Sequence, residues 1–191
     1  MPSAITHAAV GLALAPAFWR PGAPRRLWLL GALAAAAPDL DVIGFRLGVD
    51  YGDLLGHRGL SHSLCFAALL AAALLPLSRA GPGFSPRRAW LYLFLASASH
   101  GLLDMATDGG LGVALFAPFS AARLFFPFRP IAVSPLGVHA FFGARGAAVI
   151  ASEALWVWLP AAAFAALSRA THGWPNRPGC RTRRERSSSR R

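Results

Sequence analysis

His57-Arg58-Gly59-Leu60-Ser61-His62-Ser63 runs without interruption into Leu64-Cys65-Phe66-Ala67-Ala68-Leu69-Leu70-Ala71-Ala72-Ala73-Leu74-Leu75-Pro76-Leu77. Two histidines straddle a glycine turn that can aim both rings at one point, and an uncharged apolar helix follows at once. Ser61 stands where a helix N-cap is expected. The rest of the chain repeats this theme of an apolar run with titratable residues at one end.

Four more apolar stretches fit the pattern: Ala4 to Trp19, Leu27 to Ala37 (stopped by Pro38), Ala89 to Met105, and about Gly146 to Leu167. Only the last approaches the ~20 residues that a spanning helix needs. Composition points to lipid all the same. Hydrophobic residues make up 55% of the 191 and charged residues 14%, against roughly 25% charged in ordinary soluble chains. Mean hydropathy is +0.46. The expected fold is all-α: a polytopic membrane helical bundle of about five apolar helices. Residues 1–170 would form the membrane-embedded domain, and 171–191 a disordered Arg-rich tail. No internal repeat is present.

The charge is +11, and all nineteen basic residues are arginine. Seven arginines fall in the tail between Arg177 and Arg191, suited to anionic lipid headgroups. The remainder lacks a basic face with interleaved aromatics, which argues against nucleic acid as the main ligand. Cys65 and Cys180 are too far apart in character and position for a disulfide framework or a zinc knuckle. The N-terminus has no basic n-region and is interrupted by His7, so it does not read as a cleaved signal peptide.

Loop charges orient the bundle. Arg20, Arg25 and Arg26 fill the first connection, and Arg79, Arg87 and Arg88 the third. With the basic tail, these are the cytoplasmic segments if positive charge stays inside. The second connection (Pro38 to Ser61) and the fourth (about Thr107 to Arg145) then face outward. The fourth is apolar but broken by Pro118, Pro127, Pro130 and Pro135. It reads as an interfacial flap over the outer membrane face.

On this map the polar residues converge. His7 opens helix 1. Asp39 and Asp41 end helix 2, flanking Leu40. His57 and His62 precede helix 3. His100 and Asp104, four apart and so on one helical face, end helix 4. If the backbone after Pro38 is extended, Asp39 and Asp41 point to the same side. Carboxylates at helix C-termini oppose the macrodipole, and clustered acids at an apolar boundary are costlier still. A bound cation offsets both costs. Mixed His and Asp donors suit Zn²⁺, Mn²⁺ or Fe²⁺ better than Ca²⁺. The candidate ligands of one or two divalent ions are therefore His7, Asp39, Asp41, His57, His62, His100 and Asp104. His139 and His172 lack acidic neighbours and read as packed residues; Asp50 and Asp53 read as loop residues.

These residues also carry a family resemblance. Thr6-His7, Pro38-Asp39-Leu40-Asp41, His57-Arg58-Gly59-Leu60-Ser61-His62-Ser63, His100-Gly101-Leu102-Leu103-Asp104 and the Phe116-Ala117-Pro118-Phe119-Ser120 segment resemble the YdjM family. Its members are described as LexA-binding, inner-membrane-associated, metal-dependent hydrolases. The resemblance spans about residues 4 to 135. It implies a cytoplasmic-membrane location, a metal site, and a regulatory protein as a partner.

The chemistry expected from the set is hydrolysis by a metal-bound water, whose pKa falls toward ~7 on the ion. Asp41 or His57 would serve as general base. Arg58 would clamp a phosphate or carboxylate of the substrate. A site at the outer (periplasmic) face under an apolar flap suits a lipid or other phosphoester. The rival expectation is a non-catalytic membrane protein that binds a regulatory partner, its helices locked by a structural metal.

Overall fold

The computed structural model describes residues 1–21, 23–78, 84–135 and 141–172. Helix α1 spans Ala4–Phe18, α2 Arg25–Ala36, α3 Leu64–Ser78 and α4 Pro86–Met105. Helix α5, Ala144–Glu153, passes through a π-helical turn at Ala154–Trp158 into α6, Leu159–His172. Each expected apolar stretch is helical. Among the described residues there are no strands, only isolated bridges between Thr107 and Ile131 and between Val113 and Leu124. The tail beyond His172, His139 and Cys180 lie outside the described residues.

The five-span expectation is not established by helix length. Among the described residues, only Arg25–Leu47 and Ala144–Thr171 are long and apolar enough to cross a membrane. Helices α1 and α3 have 15 residues each, or about 22 Å at 1.5 Å per residue, short of the ~30 Å hydrocarbon core. Helix α4 has 20 residues but carries Arg87 and Arg88 at its start and His100 and Asp104 near its end.

Two local expectations are also corrected. The chain does not extend after Pro38. It continues as a 3₁₀ segment, Ala37–Leu47, closed by Gly48 in the left-handed region at φ 78°. Proline is tolerated in a first turn because its missing N–H would lack an intrahelical partner anyway. At 120° per residue, Asp39 and Asp41 therefore point in different directions. The cap of α3 is Ser63 rather than Ser61: its Oγ accepts from Phe66 N at 3.0 Å.

Helix α1 packs on α2, α4 and α6, and α4 packs on α2 and α3. Tyr92 of α4 is fully buried at this crossing and donates its hydroxyl to Gly11 O at 2.9 Å. A Cβ on Gly31 would fall 2.1 Å from that hydroxyl, so glycine there makes the seat. Ala15, Leu27, Ala34, Ala71, Ala89 and Leu93 complete this core. Small side chains let the helix backbones approach closely, the usual economy of helix packing where lipid supplies no hydrophobic drive.

The flap (residues 107–135) is irregular chain pinned at several points. Val113 and Leu124 exchange backbone hydrogen bonds at 3.0 and 2.9 Å, Phe126 N donates to Met105 O, and Ala114 N donates to Arg58 O. Met105, Val113 and Leu115 form a small second core beneath it. Arg123 bonds the carbonyls of His57, Tyr51 and Asp53, tying the flap to the 50–59 loop.

Candidate metal centre

Four segments deliver the cluster. Helix α1 supplies His7, the 3₁₀ segment Asp39, the Leu60–His62 turn His62, and the end of α4 His100 and Asp104. Gly101 makes the approach possible, since a Cβ there would lie 2.6 Å from His62 O. Three overlapping triads each place one donor atom per residue within 4.8 Å of the others: His7, Asp39 and His100; Asp39, His57 and His62; His62, His100 and Asp104. All six residues are buried.

Hydrogen-bond partners set the tautomers. His100 Nδ1 lies 2.7 Å from Ala35 O. A carbonyl only accepts, so Nδ1 carries the hydrogen and Nε2 presents a lone pair. His62 Nδ1 lies 3.1 Å from Asp41 Oδ2, a carboxylate–histidine pair of the kind that orients metal ligands. The two Nε2 atoms then face each other at 3.0 Å. Asp39 Oδ1 stands 3.2 Å from His100 Nε2 and 3.8 Å from His62 Nε2, and Asp104 Oδ2 stands 3.5 Å from His62 Nε2. Tetrahedral ligands at about 2.0–2.1 Å from an ion are themselves about 3.3 Å apart. The observed separations bracket that value.

Charge and satisfaction agree with a cation. Both oxygens of Asp39, both of Asp104 and both ring nitrogens of His7 are buried without a hydrogen-bond partner. Leaving such groups unpaired costs about 1–3 kcal/mol each, more when charged. Asp39, Asp41 and Asp104 face one permanent cation, Arg58, so the cluster carries an excess of two negative charges that a divalent ion offsets. Burial disfavours charge on His62, but Asp104 and Asp41 outweigh it and raise its pKa to about 9. Without a metal, a proton takes the cation's place. The residues present fit a divalent ion.

Three expected site residues frame this cluster, and Asp41 and Arg58 have their polar atoms engaged. Asp41 accepts from Ser61 Oγ at 2.6 Å and from Arg58 N at 3.3 Å, and pairs with His57 Nδ1 at 2.7 Å and with His62. It is the hub that aims two histidines. His57 pairs with Asp41 through Nδ1 and also joins the triad with Asp39 and His62. Arg58 is fully buried rather than open to a ligand. Its Nε lies 3.1 Å from Asp104 Oδ2, and its other nitrogens donate to Gly109 O at 2.8 Å and to Thr107 Oγ1 at 3.0 Å. Its backbone sits at φ 63°, a left-handed conformation that costs a non-glycine residue roughly 1–2 kcal/mol and is held by this network.

One important residue escaped sequence reasoning. Glu153, fully buried, accepts from Ser3 N, from Ser3 Oγ at 2.7 Å and from Thr6 Oγ1 at 2.6 Å. It docks α5 onto the first turn of α1, next to His7. The available signal was its position as the sole acid of the fifth apolar stretch.

Residues 1–174 match the family model described as YdjM inner membrane protein. Among curated proteins, the inner membrane protein YbcI of Escherichia coli (strain K12) is 41% identical over 160 residues, covering 84% of this chain and 92% of that protein. No solved structure gives a significant match. The match over nearly the whole described chain, together with the helices and the His/Asp cluster, leads to one conclusion: the chain belongs to the YdjM inner membrane protein family.

Proposed function

We propose that the chain is a multi-pass membrane protein whose metal centre activates water for hydrolysis of an amphiphilic phosphoester. The observation that carries this reading is the four-donor set of His62, His100, Asp39 and Asp104, a buried convergence of imidazoles and carboxylates with Arg58 as its one permanent counter-charge. Zn²⁺ or Mn²⁺ suits two imidazoles and two carboxylates. Such an ion supplies a Lewis acid and an acidified water. Asp41 orients His57 and His62, and Arg58 neutralises Asp104. His57, whose Nδ1 is held by Asp41 Oδ1 at 2.7 Å, turns its Nε2 to the role of general base.

The positions of the arginines and of an apolar groove support a location and a substrate class. Arg20 follows the end of α1, Arg25 opens α2, and Arg87 and Arg88 open α4. The metal ligands sit at the opposite ends of these helices. With basic ends in the cytoplasm, the centre is on the periplasmic side. An apolar groove of about 550 Å³ is lined by Leu103, Phe126, Phe128, Pro130, Ile131 and Trp156, and its apolar lining supports an amphiphilic substrate.

A second reading also has a specific observation behind it. Four buried protein donors around one ion form the closed set of a structural site. The ion would then lock α1–α4 together in a non-catalytic protein that binds a regulatory partner.

Metal content decides whether a centre exists, and turnover separates the readings. Detergent-purified protein is expected to hold about one Zn²⁺ or Mn²⁺ per chain by inductively coupled plasma mass spectrometry. An Asp39→Ala/His100→Ala chain should hold none. Metal-dependent release of phosphate or headgroup from a phospholipid or aryl phosphoester panel supports the hydrolase. A loaded protein inert across that panel supports the structural lock, and a wild type that cannot be loaded overturns both. Asp41→Asn is expected to keep the fold and weaken metal affinity about 10–100-fold, the usual effect of losing an orienting carboxylate. Competition with a chelator of known affinity measures it; unchanged affinity removes Asp41 from that role.

A further inference from the structure

His7 is not used by the four-donor set. It is fully buried, and neither ring nitrogen has a hydrogen-bond partner. Its Nε2 lies 3.5 Å from Asp104 Oδ1, while the other oxygen of Asp104 faces His62 Nε2 at the same distance. The His7 ring stacks on His100, centroids 3.6 Å apart and planes within 16°. Nearly parallel rings carry their lone pairs in separate planes. One ion cannot lie in both, whereas two ions about 3.5–4 Å apart can, which is the separation found in two-metal hydrolytic sites.

Asp39 completes the arrangement. It shares one triad with His7 and His100 and another with His57 and His62; its Oδ1 faces His100 Nε2 at 3.2 Å, and its Oδ2 is buried without a hydrogen-bond partner. Two carboxylates and one imidazole would leave a bound ion with fewer protein donors than the four-donor set.

Resting on the metal-centre reading above, we propose that His7, Asp104 Oδ1 and Asp39 hold a second divalent cation, bridged to the first through Asp104, and that this ion binds together with an anion. The charge count explains the anion. Three carboxylates and Arg58 leave an excess of two negative charges, which the first ion neutralises. A second divalent ion would leave two positive charges in a buried site, a penalty that a phosphoryl group or hydroxide removes. The open positions of the second ion are where a phosphoester's oxygens and the attacking water would meet. The four-donor ion then keeps the helices in register, and the His7 ion makes the site reactive.

The test uses full-length protein in detergent, Mn²⁺ as the metal and inorganic phosphate as the anion. Metal per chain is measured after gel filtration in the same buffer, and electron paramagnetic resonance reads the coupling between ions. One Mn²⁺ per chain without phosphate and two with it, the second state giving a spin-coupled spectrum, is the expected result. His7→Ala should hold one uncoupled Mn²⁺ in both conditions, and that retained ion shows the fold is intact. If His7→Ala binds none, His7→Gln replaces it in the same comparison. A wild type that stops at one Mn²⁺ in millimolar phosphate overturns the second ion but leaves the first standing. Two Mn²⁺ without phosphate overturns the anion requirement, and two coupled Mn²⁺ in the His7 variants overturns the assignment to His7. A wild type with no Mn²⁺ in either buffer overturns the metal-centre reading itself.

Discussion

An Asp104→Ala chain is expected to lose about 3–5 kcal/mol of stability, together with the metal proposed for the centre. Asp104 is fully buried and stands between His7, His62 and Arg58, with 3.1 Å to the Arg58 Nε. Removing the carboxylate takes one donor from the metal set. It also leaves the Arg58 guanidinium buried without its counter-charge, the circumstance in which breaking a buried pair is most costly. Arg58 cannot escape by turning outward, because Gly109 O and Thr107 Oγ1 hold its other nitrogens and its backbone is fixed at positive φ. At about 2–4 °C per kcal/mol for a chain of this size, unfolding in detergent should come roughly 6–20 °C earlier. A chelator separates the two contributions. It should lower the melting temperature of the wild type and leave that of Asp104→Ala unchanged. Asp104→Ala that melts like the wild type and still responds to the chelator would remove Asp104 from the centre.

The second large effect lies at Glu153. Its carboxylate collects Ser3 N, Ser3 Oγ and Thr6 Oγ1, and Trp158 Nε1 donates to the same Thr6 hydroxyl at 2.7 Å. Ser3 is also the N-cap of α1, so the negative charge rests on the positive end of that helix. Glu153→Ala leaves Ser3 N and Thr6 Oγ1 buried without this acceptor, at about 1–3 kcal/mol each, leaves Ser3 Oγ with only its longer bond to Thr6 Oγ1 at 3.3 Å, and frees α5 from α1. A loss of about 3 kcal/mol or more is expected, read as a melting shift of roughly 6–12 °C. Because His7 follows Thr6, metal retention should fall too, as a consequence of the loosened turn. Glu153→Gln keeps an acceptor oxygen and should recover part of the loss. An unshifted melting temperature in Glu153→Ala would show that the docking contributes nothing to stability.

Composition and pattern were enough for several features. The apolar stretches had to become helices that bury against one another or against lipid. His and Asp residues interrupt those stretches only near particular ends, while arginine and proline mark the opposite ends. Two such markers on each of several antiparallel helices place the titratable groups together, whatever the details of packing. That is why His7, Asp39, Asp41, His57, His62, His100 and Asp104 could be read as one set from positions far apart in the chain.

The division of labour within the cluster had no such marker. Asp39 and Asp41 look alike in Pro38-Asp39-Leu40-Asp41. A 3₁₀ turn of 120° per residue, rather than an extended strand, sends one toward the metal donors and the other toward Ser61 and His57. Arg58 beside His57 suggested a hand held out to a ligand, yet contacts with Gly109 and Thr107, about fifty positions away, bury it as the counter-charge of Asp104. Glu153 meets Ser3 across 150 positions. Periodicity reports which face of a helix is apolar and charge patterns report which end meets water. Which oxygen faces which nitrogen is decided by how the helices cross, through contacts between residues that share no local sequence relation.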